Sequence, residues 1–258
     1  MSLKFENKVA LVTAAADGIG KATAEAFAAQ GAAVMLADIN AELGEASAKQ
    51  LRDGGANAAF FKVDGTLEDE VAALVQHTIT TFGGLHLAAN IIGDSRGDAH
   101  GPELHNQSLE GWEDTVAVSL RSTFLCLKHE IAHMIEHGGG NIVNVSSIAG
   151  CRYIPEGGAA YGAAKAGVVQ LTKFAAVTYA DRGVRVNCIA PGTTPTAAFE
   201  KGGPEAAKML TERMLEGHAI KRVIKTSEQA AGIAWLCSDE ASMITGHMLP
   251  IDGGWMAR

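Results

Sequence analysis

The sequence predicts an α/β protein built on a doubly wound parallel sheet of about seven strands, with helices on both faces. Two observations carry this expectation. Short apolar runs alternate with longer amphipathic segments along the 258 residues, and no Pro/Ser-rich linker or internal repeat breaks the alternation. The runs are KVALVTA, AAVMLAD, AAFFKVD, LHLAANII, NIVNVSS, VRVNCIA and HMLPI. Most are continuous rather than alternating, as strands covered on both faces require.

The segments between them read as helices. From Gly18 to Gln30, residues Ile19, Ala22, Ala26, Phe27 and Ala29 fall on one side at helical spacing, and Gly31 follows as a stop signal. From Glu68 to Phe82, Val71, Leu74, Val75, Ile79 and Phe82 repeat the pattern. Regular β-α alternation implies parallel strands with right-handed crossovers. Residues 1–258 are therefore read as a single dinucleotide-binding domain. Within it, residues 192–217 are rich in Gly, Pro and Thr early and helical later, which predicts a flap over a site.

Composition narrows the function classes. Hydrophobic residues make up 47% and charged residues 19%, enough for a sizeable core. A net charge of −8, with no Lys/Arg cluster, argues against a nucleic-acid partner. No apolar run approaches the ~20 residues of a membrane span. The opening MSLKFENK has no apolar stretch, so no secretory leader is expected. Cys126, Cys151, Cys188 and Cys237 are widely spaced without a CxxC pair, which suggests reduced thiols and a cytoplasmic location.

The first β-α turn, TAAADGIG at 13–20, carries the cofactor signal. Gly18 lets the backbone approach a pyrophosphate, and Gly20 lets the helix pack on the sheet. The amides at the helix start, from Asp17 through Ile19, offer free N–H groups and positive dipole to phosphates. Asp38 ends the second strand 20 residues after Gly18, the spacing of an acid that accepts the ribose hydroxyls. Its charge, with Asp17 beside it, would repel a 2′-phosphate, so NAD is expected over NADP. Asp64 ends the third strand and could approach the adenine; Asn90 ends the fourth. Ala14 stands where a tight turn most welcomes glycine. A negative φ there would tolerate alanine, and that is the expectation.

The chemical signal lies in AAYGAAKAGVVQ. Tyr161 and Lys165 are four apart on one helix face. A phenol's pKa near 10 is too high for efficient proton transfer at neutral pH, and a nearby ammonium lowers it. Tyr161 would then act as general acid or base, tuned by Lys165. Ser146 and Ser147 end the fifth strand, where a hydroxyl can hold a substrate oxygen. The same Tyr-Lys spacing also describes a tyrosine at a core edge beside a surface lysine.

Together these segments resemble the short-chain dehydrogenase/reductase family, from NKVALVTAAADGIG to SMITGHMLPIDGG. Thr13, Gly18 and Gly20 match the family loop T-G-x-x-x-G-x-G. Tyr161 and Lys165 match its Y-x-x-x-K, and Ser147 its catalytic serine. Pro191 and Gly192, followed by Thr194 and Thr196, match a segment that lines the nicotinamide. Asp38 matches the NAD-preferring subset. The resemblance implies a Rossmann-like fold and NAD-dependent interconversion of a secondary alcohol and a ketone. It also implies a homo-oligomer, commonly a tetramer built through helices such as 108–137 and 161–181. Three positions depart from the pattern. Ala14 replaces the first loop glycine, Ile91 and Ile92 replace Asn-Ala after Asn90, and Ser119 replaces an Asn that holds a relay water behind the lysine.

Two other readings remain. The departures at Ala14, Ile91 and Ser119 motivate a dinucleotide-binding sensor or structural subunit with little catalysis, against which an intact Ser147, Tyr161 and Lys165 argue. HEIAH, with His129, Glu130 and His133 and a further His137 at the same spacing, is a formal match to a zinc hydrolase motif. The plainer view is a polar outer face, with Phe124, Leu127, Ile131, Met134 and Ile135 pointing away from it and no resident metal. The substrate pocket falls to residues 93–107, 151–158 and 192–217; His100 and His105 lie in the first. Small residues there allow a moderately large or cyclic alcohol.

Overall fold

The computed structural model describes residues 3–96, 103–154, 157–196 and 203–258. All seven apolar runs form strands: β1 (Val9–Thr13), β2 (Ala33–Asp38), β3 (Ala58–Lys62), β4 (Leu87–Asn90), β5 (Gly140–Val145), β6 (Val184–Pro191) and β7 (Met248–Ile251). They pair in parallel in the order β3-β2-β1-β4-β5-β6-β7. Parallel pairing demands crossovers, supplied by α1 (Gly18–Ala29), α2 (Ala41–Asp53), α3 (Glu68–Phe82), α4 (Leu109–Val116), α5 (Ser122–Met134), α6 (Ala159–Tyr179), α7 (Pro204–Leu215) and α8 (Thr226–Cys237). Among the described residues, no helix is long and apolar enough to cross a membrane.

Strand alternation divides the core into two layers. Ala10, Val12, Val34, Leu36, Val143 and Val145 pack with Phe27 of α1, Ala48 of α2 and Ile233 of α8. Leu11, Met35, Ala88 and Ile142 pack with Leu74 of α3, Ile131 of α5 and Ala175 of α6 on the opposite face. Helices on both faces explain why the strands read as unbroken apolar runs.

Two helix faces differ from the sequence pattern. The buried side of α1 is Gly20, Thr23, Ala24 and Phe27, whereas Ala29 is exposed. Small residues dominate because α1 packs closely on the sheet and α8, where longer side chains would not fit. In α5, Glu130 is fully buried beside Leu127, Ile131 and Met134, and Phe124 is half-exposed. The expected polar stripe is thus broken by a carboxyl that points into the core. Its reason is a buried polar network: Asn90 Nδ2 donates to Glu130 Oε2 (2.9 Å) and Asn144 Oδ1 (3.1 Å), and Asn144 Nδ2 donates to Thr172 Oγ1 (2.9 Å).

Between α4 and α5 the helix widens into one π-helical turn, Ala117–Arg121. Such turns often occur at functional sites. This one places Ser119 beside the chain leaving β4.

Candidate active site

Strand order reverses between β1 and β4, and ligands bind outside the carboxyl ends at such a switch point. A cavity of about 560 Å³ opens there. It runs from Asp38 and Asn40 past the β1–α1 loop to Ser147, Tyr161 and Lys165, and ends against Leu210 and Met214 of α7.

The loop holds its shape through backbone bonds. Ala15 N–H donates to Ala37 O (3.1 Å), and Ala16 N–H donates to Asp38 Oδ2 (3.0 Å). These bonds turn the chain back toward β2 immediately after Thr13. The reversal falls on Ala14, whose φ is +50°, so the expected negative φ is wrong. An L-residue in this region carries roughly 1–2 kcal/mol of strain. The loop has nevertheless kept its opening, since Ala14, Ala16 and Asp17 through Gly20 line the cavity. Gly20 is required by contact, because a Cβ there would lie 1.9 Å from Ala14 O. Gly18 has φ +60° and faces Thr196, whose Cγ2 would be 3.2 Å from an added Cβ.

Asp17 begins α1 in an extended conformation, and no side chain caps the helix. The first-turn amides of α1 therefore open on the cavity without a side-chain partner, as an anionic phosphate requires. Asp38 also shapes this end: its Oδ1 accepts from Asn40 N–H (2.9 Å). With both oxygens held by backbone donors, the carboxylate is fixed at the cavity wall. Lys165 is the one cationic side chain lining the cavity among the described residues, against the acids Asp17, Asp38 and Asp94.

Thr13, Asp64 and Asn90 do not line the cavity. Thr13 is buried, accepts from Ile91 N–H (2.9 Å) and donates to Ala89 O (3.4 Å), tying β1 to β4. Asp64 closes its own turn, with Thr66 N–H and Oγ1 donating to Oδ1 at 2.9 and 2.7 Å. Asn90 belongs to the Glu130 network.

At the other end, β5 and α6 bring three groups together. Ser146 Oγ donates to Lys165 O (2.8 Å), which locks the end of β5 onto α6. Ser147 begins a short 3₁₀ turn, and its Oγ accepts from Ala149 N–H (3.1 Å). Lys165 is buried, with Nζ donating to Val145 O (2.8 Å) and reaching Ile92 O (3.5 Å). Its Nζ lies 5.7 Å from the Tyr161 ring centroid. Gly93 makes room for it, since a Cβ there would be 2.3 Å from Nζ.

The proton affinities differ from the sequence expectation. Burial pushes Tyr161 up to about 12, a hydrogen bond from Ser147 pulls it down, and the charge of Asp94 pushes it up. Burial lowers Lys165 to about 8, opposed by Cys188 and Asp94. The lysine is thus poised within reach of neutrality, while the protein's own groups leave the phenol protonated. The expected lowering by Lys165 is not among the effects on the phenol, and burial is the largest of them.

Beyond β6, Pro191, Gly192, Thr194 and Thr196 line the wall facing the nucleotide loop. Thr194 Oγ1 accepts from Gln229 Nε2 (3.0 Å) and donates to Gly192 O (3.3 Å). Thr193 N–H donates to His218 Nε2 (3.2 Å). Of the segment read as a flap, residues 197–202 lie outside the described residues, as does His100; His105 falls in a short 3₁₀ turn, Leu104–Asn106. In α7, Leu210 and Met214 reach the cavity.

Ser119 does not mimic a water-holding amide. Its Oγ donates to Asp94 O (2.7 Å) and accepts from Asp94 N–H (3.0 Å). It therefore grips one residue of the loop after β4. Asp94, Leu43, Ile154, Leu210 and Met214 line the cavity although the sequence did not single them out. Asp94 was findable, four residues beyond Asn90. Ile154, Leu210 and Met214 fall within the segments expected to build the pocket, but only the fold shows which of their side chains line it.

The HEIAH segment is not assembled as a metal site. Glu130 points into the core, the His133 and His137 rings stack at 4.0 Å, and His129 Nε2 lies 3.5 Å from Glu68. Among the described residues, no group of three or more His, Cys, Asp or Glu side chains is placed to hold a metal.

A family model described as enoyl-(acyl carrier protein) reductase, one of the short-chain alcohol dehydrogenase models, matches residues 13–256. Cyclohexanol dehydrogenase of an Acinetobacter species is 38% identical over 258 residues, covering 100% of this chain and 98% of its own. Cis-4-hydroxycyclohexanecarboxylate dehydrogenase of Sinomonas cyclohexanicum is 41% identical over 257 residues, covering both chains fully. The chain belongs to the short-chain dehydrogenase/reductase family. The crystal structure of levodione reductase superposes with a TM-score of 0.92 at 34% identity, covering 98% of this chain and 99% of that one. As a family member, the protein is an oxidoreductase acting on CH–OH groups, and its family uses nicotinamide cofactors.

Proposed function

We propose that the protein interconverts a cyclic secondary alcohol and its ketone, with NAD as the hydride carrier. The observation that carries this reading is convergence. Ser147, Tyr161 and Lys165 meet the β1–α1 loop and Asp38 in one cavity. A sensor or structural subunit would have no need of a tyrosine, a serine and a buried lysine at one point. The preference for a ring draws on the cyclohexane-derived substrates in the relatives' names and on the apolar wall formed by Ile148, Ile154, Leu210 and Met214.

The Asp17–Gly20 backbone would hold the pyrophosphate, Asp38 the adenosine ribose, and Pro191–Thr196 the nicotinamide. Thr13 and Asn90 support this wall from behind. When bound, the oxidised nicotinamide supplies a hydride acceptor and a positive charge. The Lys165 ammonium would favour phenolate at Tyr161. In oxidation, Ser147 donates to the substrate oxygen and the Tyr161 phenolate takes the hydroxyl proton. The carbinol hydrogen leaves as hydride, and the C–O bond becomes C=O. Ketone reduction runs these steps in reverse. Lys165 steadies the phenolate and contacts the nicotinamide ribose.

Residues 1–258 act as one domain in this reading, with 192–217 closing over substrate. A homotetramer is proposed, built on exposed apolar groups of α6 (Phe174, Val177) and α4–α5 (Leu109, Phe124), and the location is cytoplasmic. The test is absorbance at the NADH band with cyclohexanol, methylcyclohexanols and cyclohexanediols, comparing NAD with NADP. Turnover with NAD well above that with NADP is expected. Absence of turnover with every alcohol and ketone, under either cofactor, contradicts the proposal.

A further inference from the structure

The cavity has an acid that alcohol oxidation does not require. Asp94 lines it together with Ser147 and Tyr161, and its charge is felt by both Tyr161 and Lys165. Its position is over-determined. Ser119, buried in the π-helical turn, accepts from its N–H and donates to its carbonyl. Ser95 N–H donates to its Oδ1 (2.9 Å), and Arg96 Nε lies 3.5 Å from its Oδ2. Arg96 is tied in turn, with its N–H donating to Thr115 Oγ1 (2.9 Å). Two helical segments thus brace a carboxylate beside the reacting groups.

We infer that Asp94 is a specificity-determining residue that selects substrates carrying a second hydroxyl and rejects those carrying a carboxylate. An ionised carboxylate accepts hydrogen bonds and donates none. It therefore rewards a substrate that brings a donor, such as the second hydroxyl of a cyclic diol, and repels an anion. Among the described residues, Ile148, Ile154, Leu210 and Met214 add apolar wall that accepts a ring without discriminating such groups. Among the described residues lining the cavity, the one cation is Lys165, and its Nζ is directed to the backbone oxygens of Val145 and Ile92. Among the described residues, the Arg96 guanidinium is paired with Asp94 itself and does not line the cavity, so a substrate carboxylate would meet the acid without a cation of its own. The chain would differ in this respect from the relative named for a hydroxycyclohexanecarboxylate. With a diol the balance is simple. One carbinol loses hydride to the nicotinamide and a proton to Tyr161, and the second hydroxyl stays on Asp94, giving a hydroxyketone.

This inference rests on the proposed alcohol–ketone chemistry, and its test separates the two. The substrates are cyclohexanol, cis-cyclohexane-1,2-diol and cis-4-hydroxycyclohexanecarboxylate, tried on the wild type, Asp94→Asn and Ser119→Ala. Asn keeps an acceptor for Ser95 N–H, so the local turn is preserved. The readout is the ratio of kcat/KM values between substrates, in which any general effect on Tyr161 cancels. A charge-assisted hydrogen bond predicts a diol-over-cyclohexanol preference of about 10- to 100-fold in the wild type, with the acid the poorest. Asp94→Asn should shrink the diol preference about tenfold and improve the acid relative to cyclohexanol. Ser119→Ala should move the same ratios less. Ratios unchanged in Asp94→Asn overturn the inference. If no substrate turns over in the wild type, the proposed function has failed. Binding of the same diol and acid to the enzyme–NADH complex, read by NADH fluorescence, still decides the role of Asp94. Equal affinity for both, unaltered by Asp94→Asn, overturns it.

Discussion

The two ends of the cavity are built differently. The nucleotide end is a backbone device: a turn folded onto β2 by bonds to Ala37 and Asp38, a Gly20 that admits no Cβ, and an uncapped α1. The reacting end is a side-chain device, made of Ser147, Tyr161, Lys165 and Asp94 carried on β5, α6 and the chain after β4. The first is the end proposed for the dinucleotide, and nicotinamide cofactors are common to the family. The second can change its substrate by changing single side chains on the same scaffold.

That contrast can be broken at several points. Short of removing the phenol itself, the largest effect is expected from Lys165→Met, which removes the cation near Tyr161. Proton transfer suffers, and kcat/KM should fall on the order of 100-fold or more. A fall confined to KM for NAD would reduce Lys165 to a ribose contact. Asp38→Ser should raise KM for NAD about 10-fold or more, as a charge-assisted hydrogen bond is lost, and improve NADP. It should leave the diol-to-cyclohexanol ratio unchanged; a shifted ratio would mean that the two ends are coupled.

The pH profile reports on the reacting end alone. Oxidation needs the phenolate, so kcat/KM should rise with pH through the apparent pKa of Tyr161. The Asp94 charge raises that pKa. Asp94→Asn should therefore move the rise to lower pH, and a move to higher pH would contradict the electrostatics.

Behind the site, burial raises the Glu130 carboxyl to about 7, so the folded protein favours its neutral form. Its stabilising contribution is complete below the ordinary carboxyl value of about 4.5, is lost as pH rises toward about 7, and stays lost above that. Glu130→Gln keeps an acceptor for Asn90 without the charge. It should gain stability over the wild type between pH 5 and 8 by about 2–3 kcal/mol, measured by denaturant unfolding. A constant difference across that range would show that Glu130 does not titrate in the fold.

The smallest effect concerns the turn. Ala14→Gly relieves a positive φ and should stabilise by up to about 1 kcal/mol, a rise of a few degrees or less in Tm. A loss of stability would mean that the Ala14 methyl packs more usefully than it strains.

The same division explains what the sequence revealed. The seven strands and the β1–α1 turn were legible because apolar runs, Gly18, Gly20 and Asp38 stand at fixed spacings, and spacing is what a sequence displays. The φ of Ala14 was misjudged because it depends on bonds to β2, a strand some 20 residues away in the chain. Glu130 looked like a surface residue because its partners, Asn90 and Asn144, come from two other elements. The spacing of Lys165 suggests an acidified Tyr161, but burial, invisible in sequence, pushes the phenol up instead. The segments 93–107 and 192–217 were legible as pocket, but which of their side chains, Asp94, Leu210 and Met214, face it was not, because that depends on how α7 and the chain after β4 fold over the crevice.

In the proposed reaction one crevice holds the dinucleotide and performs proton transfer through Tyr161. The most direct test is Tyr161→Phe, followed by both NADH binding and NAD-dependent oxidation of a cyclic secondary alcohol. The account predicts NADH affinity within a few-fold of the wild type and turnover lower on the order of 1,000-fold. Turnover close to that of the wild type would contradict it.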